Sequence, residues 1–159
     1  MDKTAIEHWS PVIGGQFWWT GLIFVLIFVP LMIFLGSKIS SKQRDMVLYG
    51  MGIYQLGNKA LTQIGYIFSD NYIMASNLPL HLCGLSGILA GIVVFYRKQI
   101  LFEFLYFFGL VGFIHSVLTP EFTGGVSSWK IFDYYVGHSM LIIIPVWLMK
   151  YYEFRLRHN

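Results

Sequence analysis

The chain has 159 residues, of which 56% are hydrophobic, 18% aromatic and 12% charged, so its composition excludes an ordinary soluble domain. The formal charge of +3 comes from short basic clusters between apolar runs, which indicates orientation in a bilayer and argues against a nucleic-acid partner. One cysteine, Cys83, permits neither an intramolecular disulfide nor a CxxC motif. We therefore interpret the chain as an integral membrane protein.

Five apolar segments, each near the length needed to cross about 30 Å of hydrocarbon, are separated by charged residues. They predict an all-α fold, a polytopic membrane bundle of about five transmembrane helices that forms one domain over residues 1–159. The predicted spans are residues 15–36, 46–69, 78–96, 101–119 and 134–150. The Gly- and Ser-rich connection at residues 120–133 is predicted to be a loop.

Lys and Arg residues are distributed unequally between the two sides of the predicted bundle. Eight lie on the side that carries the C-terminus, whereas only Lys3 and Lys130 lie on the other side. Because cytoplasmic loops retain positive charge, the N-terminus is predicted to be outside and the C-terminus cytoplasmic, in a plasma membrane.

Three histidines and the cysteine are predicted to lie at one depth of the membrane. His81 and Cys83 begin the third span, His115 lies near the end of the fourth, and His138 lies near the start of the fifth. Any one buried histidine is more often a residue satisfied by its neighbours than a functional group. Their shared depth in the outer third favours a site.

Cys83 is predicted to face the interior of the bundle from the first turns of its helix. The helix dipole favours a thiolate there, although the cysteine also fits a face of small packing residues. His81 lies about 200° around the same helix, so the partner of Cys83 is expected on another helix. His138 is the first candidate, His115 is its rival, and the acidic residues bounding the loop at 120–133 are candidates to orient an imidazole.

The second span carries a polar stripe. Gln55, Asn58, Lys59, Thr62 and Tyr66 recur at helical spacing, which predicts that they face the bundle or a water-filled cavity. A lysine at mid-membrane costs about 2.5–3.5 kcal/mol on insertion scales, so Lys59 should find an internal partner or bind an anionic headgroup. Snorkelling of its ammonium group to the interface is the alternative.

Three motifs follow one another between residues 77 and 147: LPLHLCGLSGILAG, LFEFLYFFGLVGFIHSVLTPEF and DYYVGHSMLII. Their order and spacing resemble the YwaF-like bacterial integral membrane proteins, which are related to the transmembrane protein 164 family. In the eukaryotic branch the resemblance implies a phospholipid acyltransferase that uses a cysteine and a histidine within the membrane. Carried over to this chain, it implies Cys83 as nucleophile and His138 as base, and His81 matches the histidine of the cysteine motif.

Family members usually have further spans after the one that matches residues 134–150. The resemblance therefore implies that a second copy or a partner membrane subunit closes the bundle, with membrane lipids as the other partners. No cofactor is predicted. The predicted catalytic residues are Cys83 and His138, and the predicted substrate-binding residues are His81, Lys59, His115, Gln55 and Asn58.

Three alternatives to an enzyme stay open at the level of sequence. A small transporter or channel module would use the polar stripe around Lys59 as its pathway. A zinc or heme site would be built from His81, Cys83, His115 and His138, although the local spacing of the first two is poor for it. A non-catalytic membrane subunit would use the same residues for packing alone.

Overall fold

The computed structural model describes residues 8–68, 82–123 and 126–157. Within them, five helices and a pair of two-residue strands are present, which confirms the all-α prediction. The strands β1 (His8–Trp9) and β2 (Phe122–Thr123) pair antiparallel. The helices are α1 (Gln16–Lys38), α2 (Ser41–Ile67), α3 (Leu82–Phe95), α4 (Gln99–Leu118) and α5 (Ser128–Tyr151).

Successive helices run in opposite directions. Leu56 of α2 faces Gly91 of α3, and Cys83 near the start of α3 lies against Gly112 near the end of α4. We call the end of the bundle where α3 and α5 begin the Cys83 end. The opposite end, where residues 152–157 follow α5, is the tail end.

The apolar lengths of the helices agree with a membrane protein. Within the described residues, α1, α4 and α5 are long and apolar enough to cross a bilayer. The described part of α3 is a shorter apolar helix of 14 residues, and α2, with 27 residues, carries the polar stripe. Each of the five predicted spans therefore corresponds to one helix.

The last helix begins earlier than predicted. We predicted a loop through residue 133, whereas α5 starts at Ser128 because Ser127 caps it. The Ser127 hydroxyl accepts a hydrogen bond from the Lys130 backbone N–H at 3.3 Å, which satisfies one of the donors at a helix start. Asp133 consequently lies on a helix instead of at a loop end.

Close packing in the core fixes the positions of these helices relative to one another. Trp147 of α5 is 1% exposed and packs where Gly36 lets α1 approach, since a Cβ at that glycine would lie 2.6 Å from the indole ring. Gly91 gives the same close approach between α2 and α3. Helices in lipid associate through such packing because lipid tails provide no hydrophobic driving force between them.

Candidate functional site

Two residues of the predicted polar stripe of α2, Gln55 and Asn58, face α5. Gln55 is 1% exposed, and its Nε2 donates to the Gly137 carbonyl at 3.0 Å. Asn58 donates through Nδ2 to both carboxylate oxygens of Asp133, at 2.7 and 2.8 Å. Thr62, one turn further along α2, is exposed and does not face the bundle as predicted, and the side chain of Tyr66 lies outside what the structure describes. Gln55 and Asn58, both predicted to bind substrate, therefore join α2 to α5.

Asp133 is the acceptor around which this contact is organised. Besides Asn58, the Tyr54 hydroxyl donates to its Oδ1 at 2.5 Å. We had considered Asp133 as a group that orients an imidazole, but its described hydrogen bonds come from a phenol and an amide. Tyr54 was missed from the sequence, although it lies four residues before Asn58 and hence on the same face of α2.

Lys59 points into the bundle from the same helix. Its side chain lies over Gly87 of α3, where a Cβ would meet Cε at 2.8 Å and Nζ at 3.7 Å. Its ammonium group interacts electrostatically with Asp133 on α5 and with Cys83 on α3. Lys59 therefore packs against α3 and lies near enough to a carboxylate on α5 and a thiol on α3 to interact with both.

Cys83 is partly buried between α3 and α4. Its thiol makes a weak hydrogen bond to the Gly112 carbonyl, with Sγ and the oxygen 3.7 Å apart. Tyr134 of α5 lies near enough to the thiol to interact with it electrostatically. A Cβ at position 112 would lie 3.5 Å from Sγ, which is an ordinary van der Waals contact, so the thiol packs closely against this part of α4.

His138 lies one turn after Tyr134, and the two rings are 4.2 Å apart between centroids. Its Nδ1 is 2.7 Å from the Tyr134 carbonyl oxygen. A carbonyl only accepts hydrogen bonds, so Nδ1–H donates and Nε2 carries the basic lone pair of the neutral ring. Tyr134 therefore interacts with both predicted catalytic residues, although the sequence did not single it out; its signal was the four-residue spacing to His138.

The other two histidines of the predicted cluster contribute differently. His115 lies on α4 with its side chain exposed, and no described contact joins it to Cys83. His81 lies outside the described residues. Among the residues that the structure describes, no three His, Cys, Asp or Glu side chains are grouped to hold a metal ion, so Cys83, His115 and His138 form no metal site there.

An apolar groove begins one helical turn from Cys83. It has a volume of about 350 Å³ and lies between α3 and α4. The aromatic rings of Phe104 and Phe108 stack along it with centroids 5.8 Å apart. Its lining residues are Leu85, Ser86, Leu89, Phe104 and Phe108. An apolar groove of this kind suits an extended apolar ligand.

The model of the TMEM164 family matches residues 6–159, which is nearly the whole chain. The chain belongs to the TMEM164 family. No curated protein and no solved structure matches it. Membership confirms the wider family that the three motifs indicated, while the YwaF-like bacterial relationship stays a prediction.

The tail end of this TMEM164 family protein carries the second polar cluster. Asp45 accepts hydrogen bonds from the Tyr152 hydroxyl at 2.7 Å and from Arg97 at 3.0 Å. These two donors hold the pKa of Asp45 below its usual value, against a smaller opposing effect of burial. Burial and the bond to Asp45 raise the pKa of Tyr152 to about 12. Further along, Arg157 pairs with Glu103 at 2.8 Å.

Proposed function

We propose that this protein is an intramembrane phospholipid acyltransferase in which Cys83 is the nucleophile and His138 the base. The observation that carries the proposal is the convergence of three helices at the Cys83 end. Lys59 of α2 interacts with Cys83 of α3, and Tyr134 of α5 interacts with both Cys83 and His138. A thiol beside a cation is the setting of an activated cysteine nucleophile, and His138, whose ring contacts Tyr134, is the imidazole that we assign to it as base.

The hydrogen bond of His138 supports its role as base. Because Nδ1 donates to the Tyr134 carbonyl, Nε2 takes the proton of the Cys83 thiol. The thiolate attacks the ester carbonyl of a phospholipid, the ester C–O bond breaks, and the leaving lysophospholipid oxygen takes the proton from Nε2. A thioester remains on Cys83. Before the attack, the positive charge of Lys59 offsets part of the free-energy cost of forming the partly buried thiolate.

The second half of the reaction reverses the first with a different acceptor. The hydroxyl of another lysophospholipid gives its proton to Nε2 and attacks the thioester carbonyl, and the C–S bond breaks. The sulfur then recovers the proton from His138. The apolar groove between α3 and α4 would hold the acyl chain during both steps. Phosphate binding by Lys59 and His81, and substrate contact by His115, stay predictions.

We infer the same orientation and partners that the charge distribution favours. The Cys83 end lies at the outer side of the plasma membrane, the C-terminus is cytoplasmic, and membrane lipids are the immediate partners. A second copy or another membrane subunit packs against the bundle, a state that native mass spectrometry of the purified protein would reveal. Single-cysteine labelling of a Cys83→Ala background, with a new cysteine at Glu153, tests the orientation in sealed spheroplasts.

The central test is acyl transfer in reconstituted vesicles. The purified chain is mixed with a phospholipid that carries one deuterated acyl chain and with a lysophospholipid of a different headgroup. Mass spectrometry then follows labelled product. Cys83→Ala and His138→Gln should each lower the rate by about 100-fold or more, since each removes a group that acts in every turnover.

Ser139→Ala is the matched control. It also removes one polar atom from a buried position, but the Ser139 hydroxyl donates to the Tyr135 carbonyl of its own helix and contacts no reacting group. Transfer that survives Cys83→Ala unchanged would contradict the mechanism.

The same preparation separates the enzyme from its alternatives. A channel or transporter along the α2 stripe would show ion or solute flux that Lys59→Met lowers and Cys83→Ala leaves intact. A wild-type protein without transfer or flux would instead favour the non-catalytic membrane subunit. The hydrogen bonds that join Gln55 and Asn58 to α5 favour the enzyme, because they fill the stripe with helix contacts.

A further inference from the structure

Three serines are buried among the residues that the structure describes, and the hydroxyl of one of them, Ser86 of α3, has no hydrogen-bond partner there. Ser116 and Ser139 donate to carbonyls of their own helices, at 2.8 and 2.6 Å. A serine inside a helix commonly satisfies its hydroxyl in this way. Because a buried hydroxyl without a partner lowers stability, Ser86 is a candidate for a role outside the fold.

Ser86 lies between the Cys83 thiol and the apolar groove. It follows Cys83 by three residues on α3, so the two side chains are neighbours on the helix surface, with Cβ atoms about 5–6 Å apart. The thiol packs against Gly112 of α4. Ser86 and Phe108, which lies one turn before Gly112, both line the groove. A chain that leads from the sulfur into the groove therefore passes Ser86.

We infer that the Ser86 hydroxyl donates a hydrogen bond to the carbonyl oxygen of an acyl group carried on Cys83. The inference rests on the proposed function and adds to it a donor that the mechanism has not yet used. In the thioester, the carbonyl carbon is bonded to Sγ and the acyl chain continues into the groove. The carbonyl oxygen is then beside the residue at the start of the groove, whose one O–H donor is unpaired.

This hydrogen bond is strongest while the carbonyl carbon is tetrahedral. When the thiolate of Cys83 attacks the ester, an electron pair of the C=O bond moves onto the oxygen and makes it an oxyanion. The C=O bond re-forms as the ester C–O bond breaks. Ser86 keeps its proton throughout and donates to the charged oxygen. A donor in apolar surroundings stabilises such a charge more than it would in water.

Kinetics of Ser86→Ala in the vesicle assay test this donor. The kcat for acyl transfer should fall by about 100-fold, because one oxyanion donor contributes about 10²–10³ in kcat. KM should change little, since the hydrogen bond forms fully only in the transition state. The melting temperature should stay at or above that of wild type, because alanine removes an unpaired buried hydroxyl. An unchanged kcat, or a rise in KM alone, would overturn the inference.

Two further variants separate the hydroxyl from the space it occupies. Ser139→Ala is the matched control, since that serine is also buried but donates within its own helix, and it should keep the wild-type kcat. Ser86→Thr keeps a hydroxyl at the same position and should retain most of the kcat. A Ser86→Thr protein with the kcat of Ser86→Ala would contradict a role for the hydroxyl.

Infrared spectroscopy tests the hydrogen bond without phospholipid turnover. The detergent-solubilised protein is incubated with a phenyl thioester of octanoic acid that carries carbon-13 at its carbonyl. The thiolate of Cys83 displaces thiophenolate, so one C–S bond forms as another breaks, and the chain's single cysteine carries the label. The labelled C=O stretch should lie at lower frequency in wild type and Ser86→Thr than in Ser86→Ala, because a hydrogen bond weakens the C=O bond. Equal frequencies would overturn the inference.

The two measurements distinguish failure of this inference from failure of the proposed function. If wild type transfers no acyl chain, or if transfer survives Cys83→Ala, the acyltransferase is excluded, while the carbonyl frequency still decides whether Ser86 is the donor. If transfer is lost in Cys83→Ala and kept in Ser86→Ala, the proposed function stands and the role of Ser86 is overturned.

Discussion

The two ends of the bundle contain the same hydrogen-bonding unit in two different electrostatic settings. At each end a tyrosine hydroxyl donates to an aspartate on another segment: Tyr152 to Asp45 at the tail end, and Tyr54 to Asp133 at the Cys83 end. Arg97 neutralises Asp45 at 3.0 Å, whereas Asp133 receives its remaining hydrogen bonds from an amide. Both aspartates fasten helices, but Asp45 does so with a paired guanidinium, whereas Asp133 accepts from neutral donors and interacts with the Lys59 ammonium group electrostatically.

The remaining charges at the two ends differ in the same way. At the tail end, Arg157 and Glu103 form a bidentate pair, and Phe154 packs on Phe102 with ring centroids 5.2 Å apart. The last described residues are thereby held across the start of α4. At the Cys83 end, Lys59 instead interacts with a thiol and a carboxylate at once. The first arrangement stabilises the fold, and the second is the one that the proposed acyltransferase would use.

The largest expected difference between the ends comes from removing each aspartate. Asp133→Ala leaves the Tyr54 hydroxyl and the Asn58 amide without their acceptor, which should cost about 2 kcal/mol of unfolding free energy. It should also lower acyl transfer about 100-fold, because small displacements of reacting groups are that costly. Asp45→Ala should leave transfer per folded molecule unchanged. Thermal unfolding in detergent and the vesicle assay measure both effects, and equal losses of transfer would abolish the distinction.

Alanine substitutions at two glycines, Gly36 toward the tail end and Gly87 beside Lys59, test the same difference between the two ends by steric crowding. In Gly36→Ala the new Cβ would meet the Trp147 ring at 2.6 Å, and that indole is too buried to shift. The free energy of unfolding should therefore fall by about 1–3 kcal/mol, with acyl transfer retained.

In Gly87→Ala the new Cβ would meet Cε of Lys59 at 2.8 Å, and a flexible lysine can move aside. We expect about a tenfold loss of transfer with little loss of stability, since a displaced cation no longer stabilises the thiolate. If Gly36→Ala lowered acyl transfer and Gly87→Ala lowered only stability, the contact that matters for transfer would lie at the tail end.

Periodicity was enough to predict the helices and one face of the site. The polar residues of α2 recur every three to four positions, so Gln55 and Asn58 had to share a face of the helix. Because polar side chains are costly in contact with lipid, that face had to turn toward the interior of the bundle. The start of α5 was predicted too late because Ser127 belongs to a stretch whose Gly and Ser content is typical of loops. A single capping hydroxyl outweighed that composition.

The partners of the site residues could not be predicted in the same way. Depth alone placed Cys83, His115 and His138 together, but depth does not specify the rotation of a helix, and His115 lies on the exposed side of α4. Tyr134 and Asp133 entered the site through packing of α5 against α2 and α3, which no local pattern encodes. Which helices contact each other, and through which residues, depends on packing of the whole core, so these contacts cannot be predicted from one sequence.

A smaller effect is expected from acid titration at the tail end. The Tyr152 hydroxyl and Arg97 lower the pKa of Asp45 from its ordinary value of 3.8. A carboxyl with a lowered folded-state pKa stabilises the fold above its unfolded pKa, and this contribution disappears as the pH falls through the folded value. Wild type should therefore lose more stability than Asp45→Asn below about pH 4. Melting temperatures of both proteins between pH 7 and pH 3 measure the difference, and parallel curves would contradict it.

The smallest expected effect is that of Arg157→Ala. Arg157 is 60% exposed in its pair with Glu103, and exposed ion pairs contribute about 0–1 kcal/mol to stability. The melting temperature should fall by about 4 °C at most. The difference from wild type should shrink as salt is raised to about 1 M, where the Debye length is about 3 Å.

Acyl transfer in Arg157→Ala should not change, because the pair of Arg157 with Glu103 fastens the tail to α4 at the end away from Cys83. A loss of transfer in Arg157→Ala that persists at high salt would mean that the two ends are coupled through the bundle and that the tail end belongs to the catalytic unit.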